Sequence, residues 1–234
     1  MSESHSNDRI PGSTGSRPER RRSPRDRGTQ FGRSAGADQR NPQPRGNLRR
    51  QQIIDAAVEL FAAKGYRGTG VAALADRVGM TATGLLYYFG SKERLLREVV
   101  AERDQADAFG PDGPFPLGFT LSSLRNLGRY NMETATLTRL YVVLGAESLD
   151  ANDPLHAFFV ERYDTARAFV RSILEAEQSE GRVRLDIDIE QISHEVIATV
   201  MGFEVQWLAD PERADLAGAM DAYIDRLIRD LTPT

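Results

Sequence analysis

The stretch TATGLLYYFGSK, residues 81–92, decides how this chain is read. Its middle, Leu85 to Phe89, has the apolar density of a buried strand. Its ends disagree with that reading. Small and hydroxyl residues open it, and Gly90-Ser91-Lys92 closes it. A helix reconciles the two halves, because Leu85 and Phe89, four apart, share one helix face. Those two residues then anchor the segment. Thr81, Ala82, Thr83 and Gly84 form a slim tip that can come close to another surface.

The flanking sequence fits the helical reading. In NLRRQQIIDAAVELFAAKGY, residues 47–66, the residues Ile53, Ile54, Ala57, Leu60 and Phe61 recur at the spacing of one helix face, and Gly65 stops the run. A short helix follows over about 70–78, with Val71, Leu74, Ala75 and Val78 on one side, and Gly79 breaks it. The segment 81–88 is a second short helix. Ser91 caps a longer one, striped by Leu95, Leu96, Val99 and Val100. Two short helices around a glycine turn, packed on longer ones, make a helix-turn-helix, whose second short helix enters a DNA major groove.

With these elements placed, residues 49–100 resemble the DNA-binding domain of the tetracycline-repressor (TetR) family. The resemblance rests on the first-helix pattern I-x-x-A-x-x-L-F-x-x-x-G-Y, on L-A-x-x-x-G-M-T across the turn, and on Y-Y-F-x-S-K-E-x-L-L running into the fourth helix. It implies that Thr81 caps the recognition helix and contacts phosphate. It places Thr83, Gly84 and Tyr87 near bases or the groove wall, with Ala82 in the same tip. It gives Tyr88, Lys92 and Thr69 phosphate contacts, and phosphate contacts set position while base contacts set sequence. The chain departs from the family at Leu86, where a tyrosine is usual, and at Gly70 and Ala72, where hydroxyl and basic residues are common. Leu86 retains the option of meeting thymine methyl groups.

Charge divides the chain in the same way. The whole has a formal charge of −4, yet residues 1–48 carry +5, residues 49–103 carry +3 and residues 104–234 carry −12. A polyanion would be repelled by the acidic part, so DNA contact belongs to the front. Residues 1–48, rich in Gly, Pro, Ser and Arg, read as a disordered basic tail. The run RPERRRSPRDR (17–27) could add phosphate contacts to it.

The segment FGPDGPFPLG (109–118) reads as a loop between domains. Beyond it, helices are expected over 119–131, 135–149, 154–180, 188–209 and 212–231, and no alternating strand pattern is found. The helix at 188–209 is apolar on two faces: Ile192, Val196, Val200, Phe203 and Trp207 on one, and Ile197, Met201, Val205 and Leu208 on the other. One face needs a partner, so a two-fold homodimer is expected. Its interface would use Val200, Phe203 and Trp207 with Leu216, Met220, Tyr223 and Leu227 of the last helix. The family resemblance implies a ligand pocket in this domain. Candidate lining residues are Arg125, Tyr141, Glu147, Phe159, Tyr163, His194 and Met201.

The expected fold is all-α: a three-helix DNA-binding domain, residues 49–103, followed by a helical ligand-binding and dimerisation bundle, residues 104–234. The expected function is a homodimeric transcriptional repressor released from its operator by a small molecule. An activator, or an accessory DNA-binding protein without ligand control, stays open. Enzyme chemistry is not expected. The chain has no cysteine, which removes disulfides and thiolate chemistry. His5, His156 and His194 have no histidine at i+3 or i+4, so no metal site is expected. The glycines of KGYRGTG (64–70) lack phosphate-loop spacing, no serine sits in a nucleophile elbow, and no cofactor is expected. No apolar run is long enough to span a bilayer, and the basic N-terminus is not followed by the apolar segment of an export signal. A cytoplasmic location is expected.

Overall fold

The computed structural model describes residues 44–106 and 119–233, all helical or connecting, with no strand among them. The helices are α1 (Pro44–Lys64), α2 (Val71–Arg77), α3 (Ala82–Phe89) and α4 (Lys92–Ala106). A 3-10 turn at Leu121–Arg125 then leads into α5 (Asn126–Glu133), α6 (Ala135–Glu147), α7 (His156–Ser179), α8 (Ile189–Ala209) and α9 (Leu216–Leu231). The tail up to residue 43 and the loop at 109–118 lie outside the described residues. Residues 44–48, expected in the tail, are the first turn of α1. Leu48 is 63% exposed there, so apolar periodicity did not reveal this turn.

Local chemistry fixes the helix ends. Gly65 takes φ 71° after α1, and its N–H returns to the Phe61 carbonyl at 2.9 Å, the left-handed cap that glycine adopts without steric cost. Asp188 caps α8 by accepting the Gln191 N–H at 3.0 Å, and Asp215 caps α9 by accepting that of Gly218 at 2.9 Å. Asp188 thus serves as a helix-start cap. Thr120 and Ser123 form a reciprocal capping box at the 3-10 turn.

Two hydrophobic clusters hold the fold. The first joins α1 to α4 through Ile53, Phe61, Leu74, Leu85, Phe89 and Leu95, and it includes Leu140 and Leu144 of α6 and Phe159 of α7. The second joins the 3-10 turn, the later half of α7, α8 and α9. Full burial of each large side chain contributes about 1.5–3 kcal/mol. The helix-turn-helix thus shares its core with the bundle behind it.

The second cluster corrects the expected dimer face. Val200, Trp207, Leu216, Met220 and Leu227 are buried within this single chain, none above 9% exposed. They close its own core. Phe203 and Tyr223 are half-buried and meet edge to face across α8 and α9, with ring centroids 6.4 Å apart.

Candidate DNA interface and ligand cavity

The recognition helix is held by a tight turn. α2 runs out at Gly79 (φ 64°), and the Met80 N–H closes back on the Ala75 carbonyl at 2.9 Å. Arg49 of α1 donates to the Val78 carbonyl at 2.5 Å and braces the turn from outside. Thr81 caps α3, its Oγ1 accepting the Gly84 N–H at 3.1 Å. A Cβ on Gly84 would sit 3.2 Å from that hydroxyl, so glycine keeps the cap uncrowded.

Leu85 and Phe89 are buried at 0% and 2% exposure, and this leaves one edge of α3 turned outward. Thr81, Ala82 and Thr83 are exposed and Gly84 is half-buried. Tyr87 is 89% exposed and Tyr88 37%. Their rings stand edge to face, 6.1 Å between centroids. Two neighbouring exposed tyrosines offer apolar faces and hydroxyl groups to a partner. Leu86 is half-buried against the core of α1–α4, so less of it is available for thymine methyls than the sequence suggested.

Two expected phosphate contacts are directed inward. Thr69 is 1% exposed, and its hydroxyl donates to the Gly65 carbonyl at 2.7 Å. Its side chain stiffens the loop between α1 and α2. Lys92 donates from Nζ to the carbonyls of Tyr66 and Thr69, each at 2.9 Å, and lies 4.0 Å over the Tyr66 ring. Its ammonium ties the start of α4 to that same loop. Arg94, passed over in the sequence, is exposed beside Gly90 (φ 77°), where a Cβ would come 3.2 Å from its Nη1. The signal that could have found it is an arginine four residues after a turn glycine.

Behind this domain lies a partly open cavity of about 350 Å³ lined mostly by α5, α6, α7 and α8. Tyr141, Phe159, Tyr163 and Met201 are on its wall. Asn131, Thr138, Arg162 and Glu204, which the sequence analysis did not name, line it too. Asn131 Nδ2 donates to Glu204 Oε1 at 2.6 Å, and the Arg162 guanidinium lies 3.8 Å over the Tyr141 ring. Burial pushes the Tyr163 phenol above its ordinary pKa. Arg162 opposes that shift and Glu204 adds to it, so both charges bear on this hydroxyl. A Cβ on Gly145 would lie 2.7 Å from the Tyr163 hydroxyl, so glycine makes its room. The sequence did carry a signal: Arg162 and Glu204 each fall four residues after an apolar-face residue, Phe158 and Val200.

The other three expected pocket residues are elsewhere. Arg125 pairs with Asp225 of α9, its Nε 2.9 Å from the carboxylate. His194 is exposed and 3.3 Å from Glu190. Glu147 sits at the end of α6, where its carboxylate accepts the Tyr66 N–H at 2.6 Å and the Arg67 N–H at 3.3 Å. It links the cavity-lining helix α6 to the loop that precedes α2.

Comparison with known proteins agrees with this geometry. Residues 53–99 match the bacterial regulatory proteins of the tetR family, and residues 126–232 match the C-terminal part of BetI-type transcriptional repressors. The transcriptional repressor AcnR of Corynebacterium jeikeium is 28% identical over 148 residues, 62% of this chain and 74% of AcnR. The transcriptional repressor KstR2 of Mycobacterium tuberculosis is 25% identical over 164 residues, 69% of this chain and 82% of KstR2. Solved structures share the fold: Salmonella enterica GusR superposes with TM-score 0.62 at 20% identity, covering 81% of this chain and all of GusR. The ketosteroid regulator KstR2 superposes with TM-score 0.58 at 20% identity, covering 80% of this chain and 96% of that one. The chain is a DNA-binding transcription regulator, not an enzyme, and it belongs to the tetracycline-repressor (TetR) family.

Proposed function

We propose that this protein is a cytoplasmic, homodimeric repressor that leaves its operator when a small molecule fills the cavity. One observation carries the reading. α6 supplies cavity wall through Tyr141 and Gly145, and two residues later its Glu147 carboxylate grips the loop that positions the DNA-binding helices. A ligand that displaces α6 therefore moves that loop. KstR2 is described as a ketosteroid regulator, and the Bacillus subtilis regulator FadR, a fold neighbour with TM-score 0.57, was solved with stearoyl-CoA. These names support ligand control in this architecture.

DNA contact is assigned to Thr81, Ala82, Thr83, Gly84, Tyr87 and Tyr88, with Arg94 taking the phosphate role first expected of Lys92. The division into a DNA-binding domain, 49–103, and a regulatory domain, 104–234, is kept as a functional one. The helix joining the two, α4, runs to Ala106. The dimer is assigned to the exposed Ala198 of α8 and Ala222 of α9 and the half-buried Gly202 of α8, flanked by Phe203 and Tyr223. Small residues there let two helix pairs approach closely.

Selection of genomic fragments by the purified protein tests the reading. A two-fold symmetric operator is expected. Recovery of fragments with no shared sequence would refute sequence-specific repression. Sedimentation that gives a monomer at micromolar concentration would refute the dimer.

A further inference from the structure

The cations of the DNA-binding domain are largely committed to the chain itself. Arg50 pairs with Glu98, Arg77 with Glu59, Arg97 with Glu93 and Arg103 with Asp55. Arg67 lies 3.6 Å from Asp153, and Arg49 and Lys92 donate to backbone carbonyls. Those seven are drawn from the nine lysines and arginines between residues 49 and 103. Residues 104–234 carry −12 and repel a polyanion. Neutralisation of phosphates by Lys and Arg supplies a large share of affinity for DNA. Further cations are needed from elsewhere in the chain.

The sequence holds such a set. RPERRRSPRDR, residues 17–27, sets six arginines against Glu19 and Asp26, a net charge of +4. Apart from its arginines this run has only Pro, Ser, Glu and Asp, so charge is what it offers a duplex. Arginine forks suit phosphate oxygens.

The fold fixes where the run is tethered. α1 begins at Pro44, and five residues on Arg49 donates to the Val78 carbonyl at 2.5 Å. Val78 is three residues before Thr81, the cap of α3. The chain that precedes α1 therefore joins the domain beside the tip of the recognition helix. Residues 28–43 separate the run from Pro44. At 3.3–3.6 Å per residue these sixteen residues span at most about 53–58 Å. One turn of duplex is about 34–36 Å. The tether thus brings the turn next to a half-site within reach of the run and leaves two turns away out of it.

We propose that residues 17–27 are a second DNA contact, an arginine arm that neutralises phosphates in the turn of duplex flanking each half-site. The inference rests on α3 being the recognition helix and goes beyond it by adding a contact that does not depend on base sequence. The test compares the full chain with a full-length variant carrying R17Q, R20Q, R21Q, R22Q, R25Q and R27Q together. Fluorescence anisotropy follows binding to labelled duplexes of about 40 base pairs, one with the selected operator and one with a shuffled sequence, at about 50 to 300 mM salt. The variant is expected to lose about three from the salt slope per protomer and to bind both duplexes more weakly by one common factor, roughly tenfold or more at 0.1 M salt. On a duplex trimmed to the operator itself, the two proteins are expected to agree within about threefold. Unchanged or tighter binding of the long duplexes by the variant overturns the proposal. So does a loss confined to the operator sequence, which is base reading, or a loss as large on the trimmed duplex, which is general charge. The preference of the unmodified chain for operator over shuffled duplex reports separately on the regulator reading. Equal affinity for the two would sink that reading, while the salt slopes on the shuffled duplex still judge the arm.

Discussion

Glu147→Ala is the perturbation whose cost can be worked most fully. A carboxylate at the last residue of a helix opposes the macrodipole, at a cost of about 0.3–1 kcal/mol. Glu147 stands at that position, and the Tyr66 and Arg67 N–H groups offset it at 2.6 and 3.3 Å. The Tyr66 contact is part-buried and charge-assisted, a class worth about 1.5–3 kcal/mol. The Arg67 N–H is exposed, so water replaces much of that bond. Removing the carboxylate therefore loses the first term, regains the dipole cost, and leaves a net destabilisation of about 1–2 kcal/mol. For a chain of this size that is a fall in Tm of about 2–8 °C. Calorimetry reads the Tm, and hydrogen exchange read by NMR reports on the Tyr66 amide, which should exchange about tenfold faster in the variant. Glu147→Gln, keeping a neutral acceptor, should fall between. A Tm within 1 °C of the unmodified protein, together with unchanged Tyr66 exchange, would refute the claim that this carboxylate holds the loop.

Other substitutions separate binding from support. Tyr87→Ala should weaken operator binding at least tenfold while changing stability by less than about 0.5 kcal/mol, as for an exposed surface site; equal losses in gel shift and calorimetry would contradict the assignment. Thr69→Val and Lys92→Met should destabilise the fold, by about 1–2 kcal/mol for the lost threonine hydrogen bond, and leave the salt dependence of DNA binding unchanged. Arg94→Ala should instead reduce that salt slope by about one and spare Tm. Alkaline stability provides a further check. Burial raises the pKa of Tyr66, Tyr163 and Tyr223 above the ordinary 10.0; for Tyr66 the nearby Glu93 and Asp153 add to it, and for Tyr223 an interaction with Thr199 partly offsets it. The unfolded phenols ionise first, so the folded state holds more protons above that pH. The stabilisation is complete below pH 10 and is lost as pH rises through the folded values. Melting scans from pH 9 to 11.5 should fall steeply, and less steeply for Tyr163→Phe; parallel curves would contradict the assignment for Tyr163.

What the sequence disclosed was mostly local. The anchors Leu85 and Phe89, the Thr81 cap and the Gly79 turn depend on spacings of three or four residues, and they were legible. Thr69 and Lys92 were misread because their partners are backbone carbonyls. A carbonyl has no sequence signature, and Lys92 reaches one that is 26 residues away. The dimer face was misread for a different reason. Two apolar faces on α8 were taken to need a second chain, but a cavity absorbs one of them. Ile197 and Met201 line that space, Val200 lines it and also packs in the second core, and Trp207 closes that core. Periodicity reports that a face is covered. It does not report whether another helix, a void or another molecule covers it.

That ambiguity bears on how α6 works. Its residues alternate between two duties. Leu140 and Leu144 pack into the core of α1–α4, and Thr138, Tyr141 and Gly145 face the cavity. The helix is thus a shared wall, and neither side can shift without disturbing the other, because close-packed interiors transmit displacement. Coupling is reciprocal: a ligand weakens DNA binding only by as much as DNA weakens the ligand. On the proposed reading, the balance is set where α6 meets the loop before α2. Glu147→Ala should therefore act in both directions, reducing the effect of effector on operator affinity and of operator on effector affinity by the same factor. Coupling as large in the variant as in the unmodified protein, read in both titrations, would place the transmission outside the Glu147 contact.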